Sequence, residues 1–179
     1  MSQFSLGAQR VLDSHPFPAV GSETCTKITP FTAIQSSTYG PPTNKFSPNS
    51  VATNAIDGNA ATTASTLNTE AFPWIAVQLT EDMSLIAVKR VIIVNRVDAG
   101  GDRLRKLNVY VSNHHPASAD SSFSNDKDVT KIGSFEGPGE TGQIIEILST
   151  FGAKGSFVVL QIQNVKEHLS IGEIITLSN

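Results

Sequence analysis

Between residues 27 and 177 the chain repeats one pattern: a short run rich in Val, Ile and Leu, then a cluster of Gly, Pro, Asn or Ser. The runs are "KITPFTAIQSS", "WIAVQL", "LIAVKRVIIVN", "LNVYVSN", "VTKIGSF", "QIIEILS", "SFVVLQIQN" and "IGEIITL". Each is too short for a typical helix. Several alternate with a period of two, as in Leu107, Val109 and Val111, which puts those side chains on one face of a strand. Eight such runs separated by turn residues predict an all-β fold, an eight-stranded antiparallel jelly-roll β-sandwich.

Composition agrees with that reading. Hydrophobic residues make up 39% of the 179 residues and charged residues only 16%, with 13 Gly and 9 Pro. A helical bundle or a disordered chain would carry more charge and fewer β-branched runs. Residues 1–23 show no sustained period, and Pro16 and Pro18 oppose a helix. They read as an N-terminal extension to one domain over 24–179. The segment 54–59, "NAIDGN", reads as a turn rather than as part of a short helix.

Charge and cysteine content exclude several functions. A formal net charge of −3 and the absence of any long basic block argue against nucleic acid, since "RLRK" at 103–106 is the only basic cluster. Cys25 is the single cysteine, so neither an intrachain disulfide nor a thiolate metal cluster is expected. No apolar run reaches the ~20 residues of a membrane span. The first twenty residues lack a basic region followed by an apolar one, so no secretory signal is legible. No nucleophile elbow, phosphate loop or zinc-protease motif occurs, and no catalytic activity is expected.

The most unusual segment is "NRVDAGGDR", residues 95–103, where a strand ends in four charged groups around a glycine pair. Two readings stand. Arg96, Asp98 and Arg103 could form a salt-bridge clamp that only shapes the loop. Alternatively, two planar guanidinium forks are presented to a ligand, with Asp98 fixing one of them and Gly100 and Gly101 letting the chain turn back.

Several segments, "AIQSSTYGPPTNKFSPNSVATNAIDGN", "PWIAVQL", "VKRVIIVNR", "RLRKLNVYVSN", "GSFVVLQIQN" and "IGEIITL", together resemble the discoidin or coagulation-factor type-C superfamily. The motifs come closest to the F-type lectins (fucolectins), over roughly residues 31–178. The resemblance implies a lectin-like β-sandwich that binds fucose- or galactose-type glycans, in an extracellular setting, through loops at one end. Arg96, Asp98 and Arg103 match the family's arginine–aspartate–arginine spacing. The family's sugar-contacting histidine is missing: its place falls near Thr66, and Thr66, Asn68 or Thr69 would supply a hydroxyl or amide instead. The family's adjacent cysteines are replaced by Ala99 and Gly100. Tyr39, Phe46 and Phe72 are candidates for an apolar wall against the sugar ring.

The same resemblance implies a structural calcium ion. Its ligands would be the side chains of Asp57 and Glu173, the carbonyls of Asn54, Asn59 and Gly172, and a hydroxyl from among Thr62, Thr63 and Ser65, with Thr63 favoured. Weak single sites of this kind work best in multiple copies, so a homo-oligomer or presentation beside other modules is expected. Two other roles fit the fold: a protein-interaction or adhesion domain that binds no sugar, and a phospholipid-binding discoidin domain. His114 and His115 read as an exposed turn rather than a metal pair. His168 reads as a surface or packing residue, and Glu136 and Glu140 as parts of a solvated hairpin.

Overall fold

The computed structural model describes residues 25–40, 50–116 and 122–178. The expected extension at 1–23 and the wall candidate Phe46 lie outside the described residues. No helix among the described residues is long and apolar enough to cross a membrane.

Among the described residues all regular structure is extended, apart from three short 3-10 turns. The strands are β1 (Thr26–Lys27), β2 (Thr32–Gln35), β3 (Ala64–Ser65), β4 (Trp74–Gln78), β5 (Ile86–Asn95), β6 (Leu107–Ser112), β7 (Val129–Phe135), β8 (Ile144–Gly155), β9 (Phe157–Ile162) and β10 (Ser170–Ser178). They form two antiparallel sheets. One runs β1-β10-β5-β8, with β3 also pairing with β10; the other runs β2-β4-β9-β6-β7. Each of the eight apolar runs becomes a strand of four or more residues, as a jelly roll requires. The two-residue strands β1 and β3 are additions that carry no periodic signal.

The core lies between the sheets. Leu107, Val109 and Val111 of β6 face Val88, Val91 and Ile93 of β5, with Ile75, Val77, Leu160 and Ile162 completing the layer. The second sheet is also buried on its outer face. Trp74, Tyr110, Phe157 and Val159 are covered there by Phe123, which sits in the 3-10 turn Phe123–Asn125. The Phe123 N–H donates to the buried Gln161 side chain at 3.1 Å, fixing that cover in place. Burial on both faces explains why "SFVVLQIQN" is almost uninterrupted in its apolar character.

One irregularity shapes the end of the sandwich where β5 finishes and β10 begins. Along the β5–β10 pair, Ile171 lies opposite Asn95, but the next partner of Val94 is Glu173, so Gly172 is an inserted residue. Such a bulge shifts the alternation of the strand. Ile171 and Ile174 therefore both enter the core, while Glu173 turns to the opposite face. A Cβ on Gly172 would lie 2.9 Å from the Ala60 carbonyl oxygen, so the close approach of the 54–62 loop requires glycine there.

Candidate functional site

Five segments gather at the end of the sandwich where β5 finishes and β10 begins: residues 36–40, 65–70, 95–106, 136–143 and 163–169. Backbone bonds tie them together. Tyr39 N–H donates to the Ser65 carbonyl at 2.8 Å, Thr66 N–H to that of Leu169 at 3.1 Å, and Gly142 N–H to that of Arg96 at 2.8 Å.

The arginine loop is held from beneath by Asn95. Its side-chain amide donates to the Gly101 carbonyl at 2.8 Å and to the Glu140 carbonyl at 2.9 Å, and its oxygen accepts the Arg96 N–H at 2.9 Å. Asn95 is only 1% exposed. The glycines complete the joint. Gly100 takes the left-handed conformation at φ 69°, and a Cβ on Gly101 would overlap the Thr141 backbone nitrogen. Gly139 N–H donates to the Leu104 carbonyl at 2.9 Å. These contacts fix the loop without either arginine side chain.

Arg96 and Asp98 form a two-bond fork, Nε to Oδ1 at 2.7 Å and Nη2 to Oδ2 at 2.6 Å. The Arg96 side chain is 17% exposed, whereas that of Asp98 is 58% exposed. The hydrogen bonds from Arg96 pull the Asp98 carboxyl down to about 2. The bond to Asp98, with help from Tyr39, also raises the Arg96 pKa. Among the described residues, Nη1 of Arg96 has no hydrogen-bond partner. Arg103 lays its stem against Gly100 and faces Glu167, Nε to Oε1 at 3.9 Å, with 45% of its side chain exposed. Glu167 also takes Arg105 Nη2 at 3.1 Å. Among the described residues, neither guanidinium of the pair is hydrogen-bonded to a main-chain oxygen.

The segment before β4 differs from the sequence expectation in one respect. Thr66 is fully buried, and its hydroxyl accepts the Leu169 N–H at 3.0 Å. It braces the loop before β10 and offers no hydroxyl to solvent. Asn68 and Thr69 are exposed. Tyr39 is 40% exposed and meets the His168 ring edge-on at 4.7 Å between centroids. Phe72 is half-buried, and its carbonyl accepts from Gln161 at 3.3 Å. Sequence reasoning missed Asn95, which looks like the last residue of a strand, and the pairing of Tyr39 with His168 across a long chain separation.

The turn that bears Asp57 docks on Glu173 beside the bulge. Glu173 Oε2 accepts the Gly58 N–H at 3.1 Å; burial, and secondarily the charge of Asp57, raise the Glu173 pKa to about 7. Asp57 accepts the Asn59 N–H at 2.8 Å and the Thr62 hydroxyl at 2.8 Å. Thr62, rather than Thr63, thus brings the hydroxyl to this cluster. Thr63 instead offers its carbonyl to the Asn54 amide at 3.1 Å, and Ser65 pairs with Ser170 at 2.7 Å. The carbonyls of Asn54 and Asn59 both lie within reach of Thr62 Oγ1, at 3.4 and 2.7 Å.

The two adjacent histidines part company. His114 Nε2 lies 3.1 Å from Asp126 Oδ2, while His115 packs edge-on against Phe157 at 5.7 Å.

The chain belongs to the F5/F8 type C family: the family described as NedA-like, galactose-binding domain matches residues 54–156, more than half of the sequence. Among solved structures, a fucolectin from striped bass (Morone saxatilis) serum superposes with a TM-score of 0.67 at 19% identity, over 87% of this chain and 50% of that one. This chain thus spans about half the length of the bass protein. A family 32 carbohydrate-binding module from C. perfringens NanJ, in complex with galactose, gives 0.63 at 18% identity, over 87% and 100% of the two chains. The lectin domain of lectinolysin, complexed with Lewis B antigen, gives 0.61 at 21% identity, over 86% and 97%. No curated protein sequence matches significantly.

Two outcomes are expected from this geometry. Asn95→Ala leaves the buried Gly101 and Glu140 carbonyls without their side-chain donor, so unfolding in urea should show a loss of about 2–4 kcal/mol. Amide exchange at Gly101 and Gly142 should accelerate more than in the core strands. The second concerns acid. A carboxyl held low favours the folded loop above its unfolded value of 3.8, and that support is lost as pH falls through about 2. The Asp98 carboxyl carbon should titrate near 2 by NMR, and move upward in Arg96→Ala; an unchanged midpoint would show that the fork does not form in solution.

Proposed function

We propose that the domain is a non-catalytic carbohydrate-binding module, with its sugar site on the arginine loop. The observation that carries this reading is the division of labour in residues 95–103. Asn95 and the glycines hold the loop, so Arg96 and Arg103 are not required as its clamp. The Arg96 head is fixed on Asp98, and the Arg103 side chain is 45% exposed, facing Glu167, next in the chain to His168, on which the exposed Tyr39 ring packs. Guanidinium donors, fixed by carboxylates and flanked by an aromatic ring, suit a pyranose, which offers hydroxyl and ring oxygens around an apolar C–H face. Family membership and the fold neighbours complexed with galactose and Lewis B antigen support the same ligand class.

Fucose- or galactose-type residues are the proposed ligands. Arg96 and Arg103 would contact the sugar and Asp98 would orient Arg96, with Asn68 at the rim. A single shallow site binds weakly, so display in several copies would supply useful avidity.

We further propose a structural calcium ion at the bulge, held by the carboxylates of Asp57 and Glu173, the carbonyls of Asn54, Asn59 and Gly172, and the Thr62 hydroxyl. Oxygen donors from two distant segments, with a desolvated carboxylate facing another, form a donor set suited to a hard cation. When bound, the ion would supply positive charge that keeps both carboxylates ionised and fastens the 54–62 loop to β10.

On a glycan array, wild-type protein should bind terminal galactose or fucose structures. Arg96→Ala and Arg103→Ala should each reduce binding tenfold or more while retaining the circular dichroism spectrum. A folded wild-type protein that binds no glycan would favour the protein-interaction role. For the metal, millimolar calcium should raise the melting temperature by several degrees. Chelation should reverse the gain, and Glu173→Gln should abolish it; identical melting with and without calcium would remove the ion from the proposal.

A further inference from the structure

We infer that His168, on the loop before β10, is a ligand-contacting residue that supplies an oriented, uncharged hydrogen-bond acceptor beside the arginine loop. The inference rests on the sugar-binding reading and identifies one more residue of that site.

The argument begins with donors and acceptors. A sugar hydroxyl is both, and once it accepts from a guanidinium its own proton still needs an acceptor. Both Asp98 oxygens accept from Arg96, while Glu167 accepts from Arg105 and from the His168 backbone N–H at 3.2 Å; Asp102, the other carboxylate of the arginine loop, is exposed. Arg96, Arg103 and Arg105 are therefore matched by carboxylates on the same or adjoining loops, which suits a neutral sugar better than an anionic one.

His168 offers an uncharged acceptor through its tautomer. Its Nδ1 lies 2.7 Å from the Thr66 carbonyl oxygen, which can only accept, so Nδ1 carries the proton. In the neutral ring Nε2 then bears a lone pair, and among the described residues it has no hydrogen-bond partner. The ring cannot swing freely. Tyr39 packs edge-on against it, and the Thr66 carbonyl is itself fixed because Thr66 pairs with Leu169 through both its N–H and its hydroxyl. Glu167, the preceding residue, links this imidazole to the arginine loop: it faces Arg103 Nε at 3.9 Å and takes Arg105 Nη2 at 3.1 Å. An exposed phenol ring, a guanidinium donor and an oriented imidazole acceptor thus lie on adjoining loops.

The test is titration calorimetry of wild type, His168→Ala, His168→Gln and Arg96→Ala with methyl β-galactoside, methyl α-fucoside and their monodeoxy derivatives. His168→Ala should bind the preferred methyl glycoside about three- to tenfold more weakly, the loss expected for one hydrogen bond. That penalty should vanish for the single monodeoxy sugar that lacks the hydroxyl donating to Nε2, the mark of direct coupling. His168→Gln, which keeps an acceptor, should recover part of the affinity, and it carries the test if the alanine variant unfolds. Unchanged affinity in both variants, with Arg96→Ala impaired, overturns the role of His168 and leaves the sugar site standing. A penalty equal for every monodeoxy sugar also overturns it, because it marks a residue that only props the loops. Wild type that binds neither glycoside overturns the sugar reading together with this inference.

Discussion

The end of this domain that carries the proposed sites depends on one buried amide. Asn95 closes β5 and makes three hydrogen bonds at once, to Gly101, Glu140 and the Arg96 N–H. A reversing loop normally leaves its inner carbonyls to water. Here a second loop, residues 136–143, packs directly on the first, so the inner carbonyls of both are buried. They need a donor with two N–H groups in one plane. An asparagine at the end of a strand supplies it, and no apolar or hydroxyl side chain of that size could. The glycines follow from this closeness, since Gly101 and Gly139 have no room for a Cβ against the opposing loop and its anchor.

The same strand end connects the two proposed sites. Asn95 lies opposite Ile171, and the Gly172 bulge directly after that pair turns Glu173 away from the core toward Gly58. An ordinary alternation would have driven a carboxylate into the apolar layer that holds Ile171 and Ile174. The bulge therefore settles a conflict between packing and polarity, and in doing so lodges Glu173 beside Asp57. A cation there would stiffen β10 where the loop bearing His168 enters it, so the proposed metal and sugar sites share a mechanical support without sharing ligands.

Much of the fold was legible in the sequence, because a strand with a buried face advertises itself locally. Val91, Ile93, Leu107, Val109 and Val111 alternate or cluster in ways that need no partner to interpret. What was not legible depends on pairing at a distance. β1 and β3 are two residues long and exist only because β10 offers them an edge. The cover over Tyr110 and Trp74 comes from Phe123, in a stretch of Ser, Asn and Asp with no period. At the site, the arginine spacing could be read directly, but the role of Asn95 and the burial of Thr66 could not. Each is decided by a segment 45 or more residues away, as is the meeting of Tyr39 with His168.

In the proposed role, the pairing of Arg96 with Asp98 is an advantage rather than a loss of binding capacity. A free guanidinium on a loop would have to shed its hydration shell, and to choose one of many rotamers, when a sugar settles on it. Arg96 has done both beforehand: its side chain is mostly buried and two of its nitrogens are fixed on Asp98. The ligand then meets an oriented edge whose charge is already balanced. Asp98, the more exposed partner, keeps the pair from imposing a strong preference for anions. Such a surface favours neutral hydroxyl groups by geometry, and geometry is what distinguishes one hexose from another.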